Sequence, residues 1–204
     1  MEDSLTFEKL VGAIRLVDEH FSAQASKAVN ISLTLRNWFI GLYIYKYEQR
    51  GTDRARYGEY LLDKLAERLR RAGMKRVDTR ELRRYRRFYL AYPQIREALT
   101  PESLKMLPAY DTDITIREPA TPELRMDGKT ILEKLSFTHL AELIKIDNPL
   151  KRAFYEIECI RGNWSVRELK RQIASLYYER SGLSQDRQKL AELVHSSAEH
   201  IESR

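Results

Sequence analysis

The chain has 204 residues, of which 43% are hydrophobic and 32% charged, and its formal net charge is +6. This composition is sufficient for a hydrophobic core in one domain, or in one domain with a helical extension. No apolar run approaches the ~20 residues that a bilayer span requires, so we expect no membrane segment. Five acidic residues among the first twenty argue against a signal peptide, and the single cysteine, Cys159, cannot form an internal disulfide. We therefore expect a cytoplasmic protein.

The apolar pattern is helical along nearly the whole chain and predicts an all-α fold. Residues from about 6 to 48 are expected to form one long or gently broken helix. Its apolar stripe consists of Leu10, Ile14, Val17, Phe21, Ala25, Ala28, Leu35, Trp38, Phe39 and Leu42. Gly41 lies inside this run, where glycine costs about 1 kcal/mol relative to alanine. Such a glycine predicts close packing against another helix.

Two further helices are predicted on either side of a short turn that contains Gly73. The first covers residues 57–72, and the second covers residues 79–92 with Asp78 before its first turn. Two helices joined by a brief turn, the second of them basic, form a helix-turn-helix pattern.

The second of these helices carries the most concentrated charge in the chain. Positions 68–87 hold ten basic residues and two acidic ones, so this segment carries +8 and the remainder of the chain carries −2. Leu82, Tyr85, Tyr89 and Tyr92 form a stripe suited to a core, and most of the arginines lie on the opposite side. The candidate nucleic-acid-binding residues are Lys75, Arg76, Arg80, Arg83, Arg84, Arg86 and Arg87. A localised field of this strength favours a polyanionic partner.

Three interpretations of the basic segment remain open: contact with a nucleic acid, contact with an acidic protein surface, and a solvated helix face. The near absence of acidic neighbours on this helix favours the nucleic acid. The pattern does not separate DNA from RNA, or duplex from single strand. The tyrosines of this helix fall on the core stripe, which favours packing over stacking on bases.

The region after this helix begins with an irregular segment. Residues 110–130 lack a regular apolar period and are interrupted by Pro119, Pro122 and Gly128, so we expect an inserted loop there. A C-terminal helical part follows, with three capping signals: Ser136, Asn148 with Pro149, and Ser165 with Glu168. The last of these predicts a helix that continues to about residue 180.

The sequence contains no recognisable catalytic constellation. His139 and Glu142 lie three residues apart on a predicted helix, but no second histidine-bearing helix has a compatible spacing. His139 is therefore expected to form structural hydrogen bonds. Neither a phosphate-binding glycine loop nor a nucleophile elbow is present. We expect that this chain alone has no enzymatic activity and that it binds no metal or cofactor.

Six segments carry a resemblance to a known family: Ala28 to Gly41, Arg56 to Leu62, Arg83 to Pro93, Leu135 to Leu140, Asp147 to Arg152, and Asn163 to Leu169. In this order they resemble the N-terminal domain of the bacterial YhcG-like family, a domain of unknown function (1016). The resemblance covers most of residues 10–183.

The resemblance implies a helical DNA-binding module, residues 1–183, that positions a C-terminal nuclease domain of the PD-(D/E)xK type. Residues 184–204 would form a terminal helix or linker toward that domain, and no nuclease residue is carried over onto this chain. The alternative is an interaction module that forms a homodimer. Its first helix and its Ser165-capped helix would pack between protomers, and its arginines would meet an acidic partner.

Overall fold

The structure, a computed structural model, describes residues 7–49, 60–105 and 126–181, together with residues 192 and 196. All regular secondary structure in these ranges is helical, which confirms the predicted all-α class. The α-helices are α1 (Phe7–Gln49), α2 (Leu61–Arg71), α3 (Thr79–Ala91), α4 (Pro101–Lys105), α5 (Gly128–Lys134), α6 (Phe137–Leu143), α7 (Pro149–Arg161), α8 (Val166–Ala174) and α9 (Tyr177–Arg180), with a 3₁₀ helix at Pro93–Ala98. None of the described helices is long and apolar enough to cross a membrane.

The first helix packs against α3 at Gly41, as the sequence predicts. A β-carbon built on Gly41 would lie 2.1 Å from the carbonyl oxygen of Tyr85 and 2.9 Å from the β-carbon of Tyr89. No side chain other than hydrogen fits there, so the two helix backbones approach more closely than ordinary helix packing allows. This contact fixes which side of α3 faces the interior.

Two groups of buried residues flank the crossing of α1 and α3. The larger group joins α1, α3 and the C-terminal helices, with Trp38, Phe88, Leu140 and Phe154 almost fully buried. The smaller group packs α2 and the turn after it against α1 and α3. Its members are Ile44, Leu62, Ala66, Val77, Leu82 and Tyr85.

A buried chain of hydrogen bonds ties the first helix to α7. Nε1 of Trp38 donates to the carbonyl oxygen of Tyr92 at 2.9 Å, and the Tyr92 hydroxyl donates to Oε1 of Glu156 at 2.7 Å. Arg152 balances the buried Glu156 carboxylate, with its Nε 3.7 Å from Oε1. Burial raises the pKa of Tyr92 well above its usual range, and Glu156 adds to this effect. The hydroxyl therefore stays protonated and remains a donor.

The predicted caps are present at the starts of their helices. Oδ1 of Asp78 accepts from the backbone N–H of Glu81 at 2.7 Å, and Oδ1 of Asn148 accepts from Leu150 at 2.9 Å. Oγ of Ser165 accepts from the backbone N–H of Glu168 at 3.2 Å. Each of these bonds satisfies a backbone donor that the helix itself leaves unpaired.

His139 has the structural role that its sequence context predicts, as part of the cap of α6. Its Nδ1 accepts from the backbone N–H of Ser136 at 3.3 Å, and its Nε2 lies 3.0 Å from the carbonyl oxygen of Trp164. These two contacts require the neutral tautomer with the proton on Nε2. Burial lowers the pKa of His139.

The irregular segment ends earlier than predicted. Helix α5 begins at Gly128, inside the predicted loop at 110–130, because Oδ1 of Asp127 caps it by accepting from the backbone N–H of Thr130 at 2.9 Å. Met126 is buried in the core just before it. Residues 106–125 lie outside the described ranges.

The helix predicted from Ser165 to about residue 180 is wrong as a single element. It is divided at Leu176, whose φ of 55° is left-handed. The buried Tyr155 bridges the break: its hydroxyl donates to the carbonyl oxygen of Gln172 and accepts from the backbone N–H of Tyr178, each at 3.3 Å. A helical period in the sequence cannot reveal this bond, because Tyr155 belongs to another helix.

Two predicted boundaries fall partly beyond the described residues. The helix predicted at 57–72 is observed as α2 from Leu61, and residues 50–59 are outside the described ranges. The predicted final helix at 184–204 is described only at residues 192 and 196, which are both helical.

The crossing at Gly41 predicts that Gly41→Ala destabilises the protein. The added methyl group would collide with the α3 backbone, and overpacking of this kind costs about 1–3 kcal/mol. That cost exceeds the ~1 kcal/mol that alanine contributes to helix propensity. Urea unfolding should show a lower midpoint. The matched control is Gly12→Ala in the same helix, where a β-carbon would meet no atom within 4 Å. The control should leave the urea midpoint unchanged or raise it. An equal rise of the midpoint in both variants would contradict the close contact between α1 and α3 at Gly41.

His139 predicts a pH dependence of stability. Its folded pKa is below its unfolded value, so its contribution is complete above the unfolded pKa of about 6.5 and is lost as pH falls through the folded pKa. His139→Gln should flatten the decline in the free energy of unfolding between about pH 7 and pH 5. Urea midpoints across that interval measure the effect. Identical pH profiles for the two proteins would contradict the neutral-histidine assignment.

Candidate nucleic-acid interface

Helix α3 has two opposite surfaces. Leu82, Tyr85, Phe88 and Tyr89 are buried in the protein. Arg80, Arg83, Arg84 and Arg87 lie on the other side, because residues three, four and seven apart share a helix face. We call these four arginines the basic face.

The basic face contains two arginines that are free to meet a ligand. Arg80 and Arg83 are exposed, and neither forms an ion pair or a side-chain hydrogen bond with any described residue. Lys75 and Arg76, on the turn that precedes α3, are exposed and unpaired within the same ranges. These four side chains carry charge that the described part of the fold does not neutralise.

The other three predicted arginines have acidic partners. Arg84 pairs with Glu81 on the same helix, with Nη1 and Oε1 2.5 Å apart, and both side chains are partly buried. Arg87 pairs with the highly exposed Asp147. Exposed ion pairs contribute about 0–1 kcal/mol, so a phosphate could displace Asp147 from Arg87 at little cost.

Arg86 lies beside the basic face rather than on it. Its Nε is 2.5 Å from Oε2 of Glu48 on α1, and both side chains are partly buried. The two atoms meet as an ion pair without the alignment of a hydrogen bond. Of the seven predicted residues, this one is directed toward the α1–α3 packing.

A cleft adjoins the basic face between α1, the turn at 73–77 and the start of α3. Its volume is about 960 Å³, and Phe137, Thr138 and Ala141 of α6 also line it. We call it the α1–α3 cleft. Among the described residues, its lining contains four basic side chains and one acidic one: Arg36, Lys75, Arg76, Arg84 and Glu81. The structure thus brings the turn cations and one arginine of the basic face together around one concave surface.

Arg36 lines the α1–α3 cleft, outside the basic face, and sequence reasoning missed it. Its Nε and Nη2 donate to Oδ1 of the neighbouring Asn37 at 3.1 and 2.9 Å. Asn37 is only 3% exposed, so its amide orients the guanidinium toward the cleft from a buried position. The sequence signal is weak, because Arg36 interrupts the apolar pattern of α1 far from the basic segment. Only the crossing of α1 and α3 brings the two together.

The described residues offer neither a metal-ligand cluster nor an exposed cysteine. They contain no group of three or more His, Cys, Asp or Glu side chains that could hold a metal ion. Cys159 is 2% exposed, and burial raises its pKa to about 11. A thiol in that state is protonated at neutral pH and is a poor nucleophile.

Comparison with known proteins places the chain in a family. The model of the DUF1016 N-terminal domain matches residues 14–180. The chain belongs to the DUF1016 N-terminal domain family. It is also similar to the Escherichia coli (strain K12) protein named "Putative nuclease YhcG", with 32% identity over 198 residues. No solved structure matches the chain.

The similarity covers the two proteins unequally. The aligned region takes in 93% of this chain but only 50% of its E. coli relative. This chain therefore corresponds to about half of that protein. The described helices belong to the N-terminal domain that the family model covers, and they correspond to only part of the E. coli protein.

Proposed function

We propose that this chain is a DNA-binding module that positions a nuclease domain on its substrate. The observation that carries the proposal is the basic face, with Arg80 and Arg83 exposed and unpaired among the described residues. The opposite side of the same helix is buried, so these arginines are held on a rigid element. The name of the E. coli relative supports the nuclease part of the proposal.

Duplex DNA suits a helix of this kind better than duplex RNA. The major groove of B-DNA is about 12 Å wide and admits an α-helix. The corresponding groove of A-form RNA is deep and narrow, and side chains cannot read it. In this proposal α2, the turn and α3 act as a helix-turn-helix unit, with α3 against the duplex. Phosphate contacts from its arginines supply affinity without sequence information.

The salt dependence of binding tests this proposal. About five phosphate contacts predict a slope of log affinity against log salt of about −4 to −5 on duplex DNA. The double variant Arg80→Gln with Arg83→Gln should weaken binding and reduce the magnitude of the slope by about 2. Fluorescence anisotropy with a labelled duplex measures both quantities.

A charge-matched control separates the basic face from net charge. Arg15→Gln with Arg167→Gln also removes two positive charges, from exposed positions on α1 and α8 outside the basic face. This control should bind with nearly the affinity and slope of the parent. If the control loses as much affinity as the basic-face variant, or neither variant loses any, the proposed interface is wrong.

A second function, homodimerisation, is favoured by the N-terminal half of α1. Every described side chain from residue 10 to residue 29 is exposed, a length of about 30 Å. We call residues 7–28 the α1 arm. Ile14 is 60% exposed, Val17 56% and Phe21 62%, although they continue the stripe that packs into the core at Trp38 and Leu42.

The composition of the α1 arm suits a second copy of itself. Its apolar stripe repeats at intervals of three and four residues, the spacing of a coiled-coil seam. The arm has three basic and three acidic residues, so two copies meet without net repulsion. Most helical stability in proteins comes from packing of an amphipathic face, so a partner helix would stabilise the arm.

Light scattering tests the dimer. The parent should be dimeric at tens of micromolar, and Ile14→Ser with Phe21→Ser should be monomeric. The matched control is Leu16→Ser with Val29→Ser, which removes two exposed apolar side chains of the same helix that lie off the stripe. It should remain dimeric. A monomeric parent, or the same oligomeric state in both variants, would contradict dimerisation through the arm.

A further inference from the structure

The α1–α3 cleft has the size and the lining of a site for an unpaired nucleotide. Its volume of about 960 Å³ is at the upper end of the range of small-molecule pockets, about 300–1,000 Å³. A concave space of this size suits one or two unpaired nucleotides. The cleft therefore differs in kind from the convex basic face beside it.

The charges of the cleft suit a phosphate group. Arg36, Lys75 and Arg76 line it, and Glu81, the only acidic residue among the described lining, is already paired with Arg84. Glu81 also lies beside the Tyr85 hydroxyl, where burial and the Glu81 carboxylate raise the pKa of Tyr85. The Glu81 carboxylate thus already interacts with both Arg84 and Tyr85. The described lining of the cleft therefore keeps a net positive charge.

Arg36 is oriented before any ligand arrives. Two of its five N–H groups donate to the buried Asn37 amide, and the others have no partner among the described residues. An oriented guanidinium loses less rotamer entropy on binding an anion than a freely moving side chain does. Arg36 is therefore the most oriented of the cleft cations, since neither Lys75 nor Arg76 has such an anchoring hydrogen bond among the described residues.

Apolar side chains supply a surface for a base. Ile40, Met74 and Phe137 are half-buried in the lining, and Leu33 at the edge is 43% exposed. Grooves that bind single strands combine such a surface with cations that follow the backbone. A nucleotide has the same two parts, a flat base and a charged phosphate.

Arg84 connects the cleft to the basic face. It lines the cleft, and it lies four residues after Arg80 and three before Arg87 on the exposed side of α3. A strand that leaves a duplex on the basic face would reach the cleft past Arg84. We propose that the cleft binds an unpaired nucleotide next to a duplex, so that the module recognises a junction between double-stranded and single-stranded DNA.

This inference rests on the proposed DNA binding, and the test separates the two. Anisotropy would compare a blunt duplex with the same duplex carrying a short single-stranded extension at its 3′ or its 5′ end. The parent should bind one of the extended duplexes at least about fivefold more tightly than the blunt one, the lower end of what stacking one base contributes. Arg36→Gln should abolish this gain and leave affinity for the blunt duplex within about twofold of the parent, since Arg36 lies off the basic face.

Two further variants complete the test. Lys75→Gln with Arg76→Gln should also reduce the gain, and it changes only exposed turn residues, so it guards against misfolding of the Arg36 variant. Arg83→Gln should weaken binding to blunt and extended duplexes alike and preserve their ratio. A parent that binds both duplexes equally, or a gain that survives Arg36→Gln, overturns the junction proposal alone. Absence of binding to any DNA overturns the proposed function itself.

Discussion

The contact between α1 and α3 at Gly41 is the constraint on which the rest of the structure depends. No β-carbon fits between Gly41 and the backbone of Tyr85. This contact therefore fixes both the position of α3 along α1 and the rotation of α3 about its own axis. A rotation of α3 by one residue, about 100°, would turn arginines into the core. The same contact brings Arg36 on α1 beside the turn cations, so one close approach positions both the basic face and the α1–α3 cleft.

The charge on α3 is tolerated because packing on its other side is far stronger than the repulsion. Close pairs of like charges on a helix cost a few tenths of a kcal/mol each. Burial of Leu82 and Phe88 contributes about 1.5–3 kcal/mol for each side chain, and Tyr85 and Tyr89 are buried beside them. The Tyr92 to Glu156 hydrogen bond further fixes the end of this helix to α7. A rigid helix can therefore keep Arg80 and Arg83 unneutralised among the described residues, which is what a binding surface for a polyanion requires.

The sequence predicts those features that depend on neighbouring residues. The caps at Asp78 and Ser165 were predictable because the residue and its partner lie three positions apart. The amphipathic character of α3 was predictable from its period alone. Features that join distant segments were not: the pairing of Arg87 with Asp147, the place of Arg36 in the cleft, and the break at Leu176 that Tyr155 bridges. Each of these features depends on how the helices pack against one another, and the periodicity of the sequence contains no information about that packing.

Arginine modification in the presence and absence of DNA is the sharpest test of whether the basic face and the α1–α3 cleft contact DNA. The protein would be treated with an arginine-selective dicarbonyl reagent, free and saturated with an extended duplex, and the modified positions would be counted by mass spectrometry. Bound DNA is expected to protect Arg80, Arg83 and Arg36, while the exposed Arg15 and Arg167 react at unchanged rates. Protection confined to Arg15 and Arg167, or unchanged reactivity of Arg80 and Arg83 in a complex shown to be saturated, would contradict it.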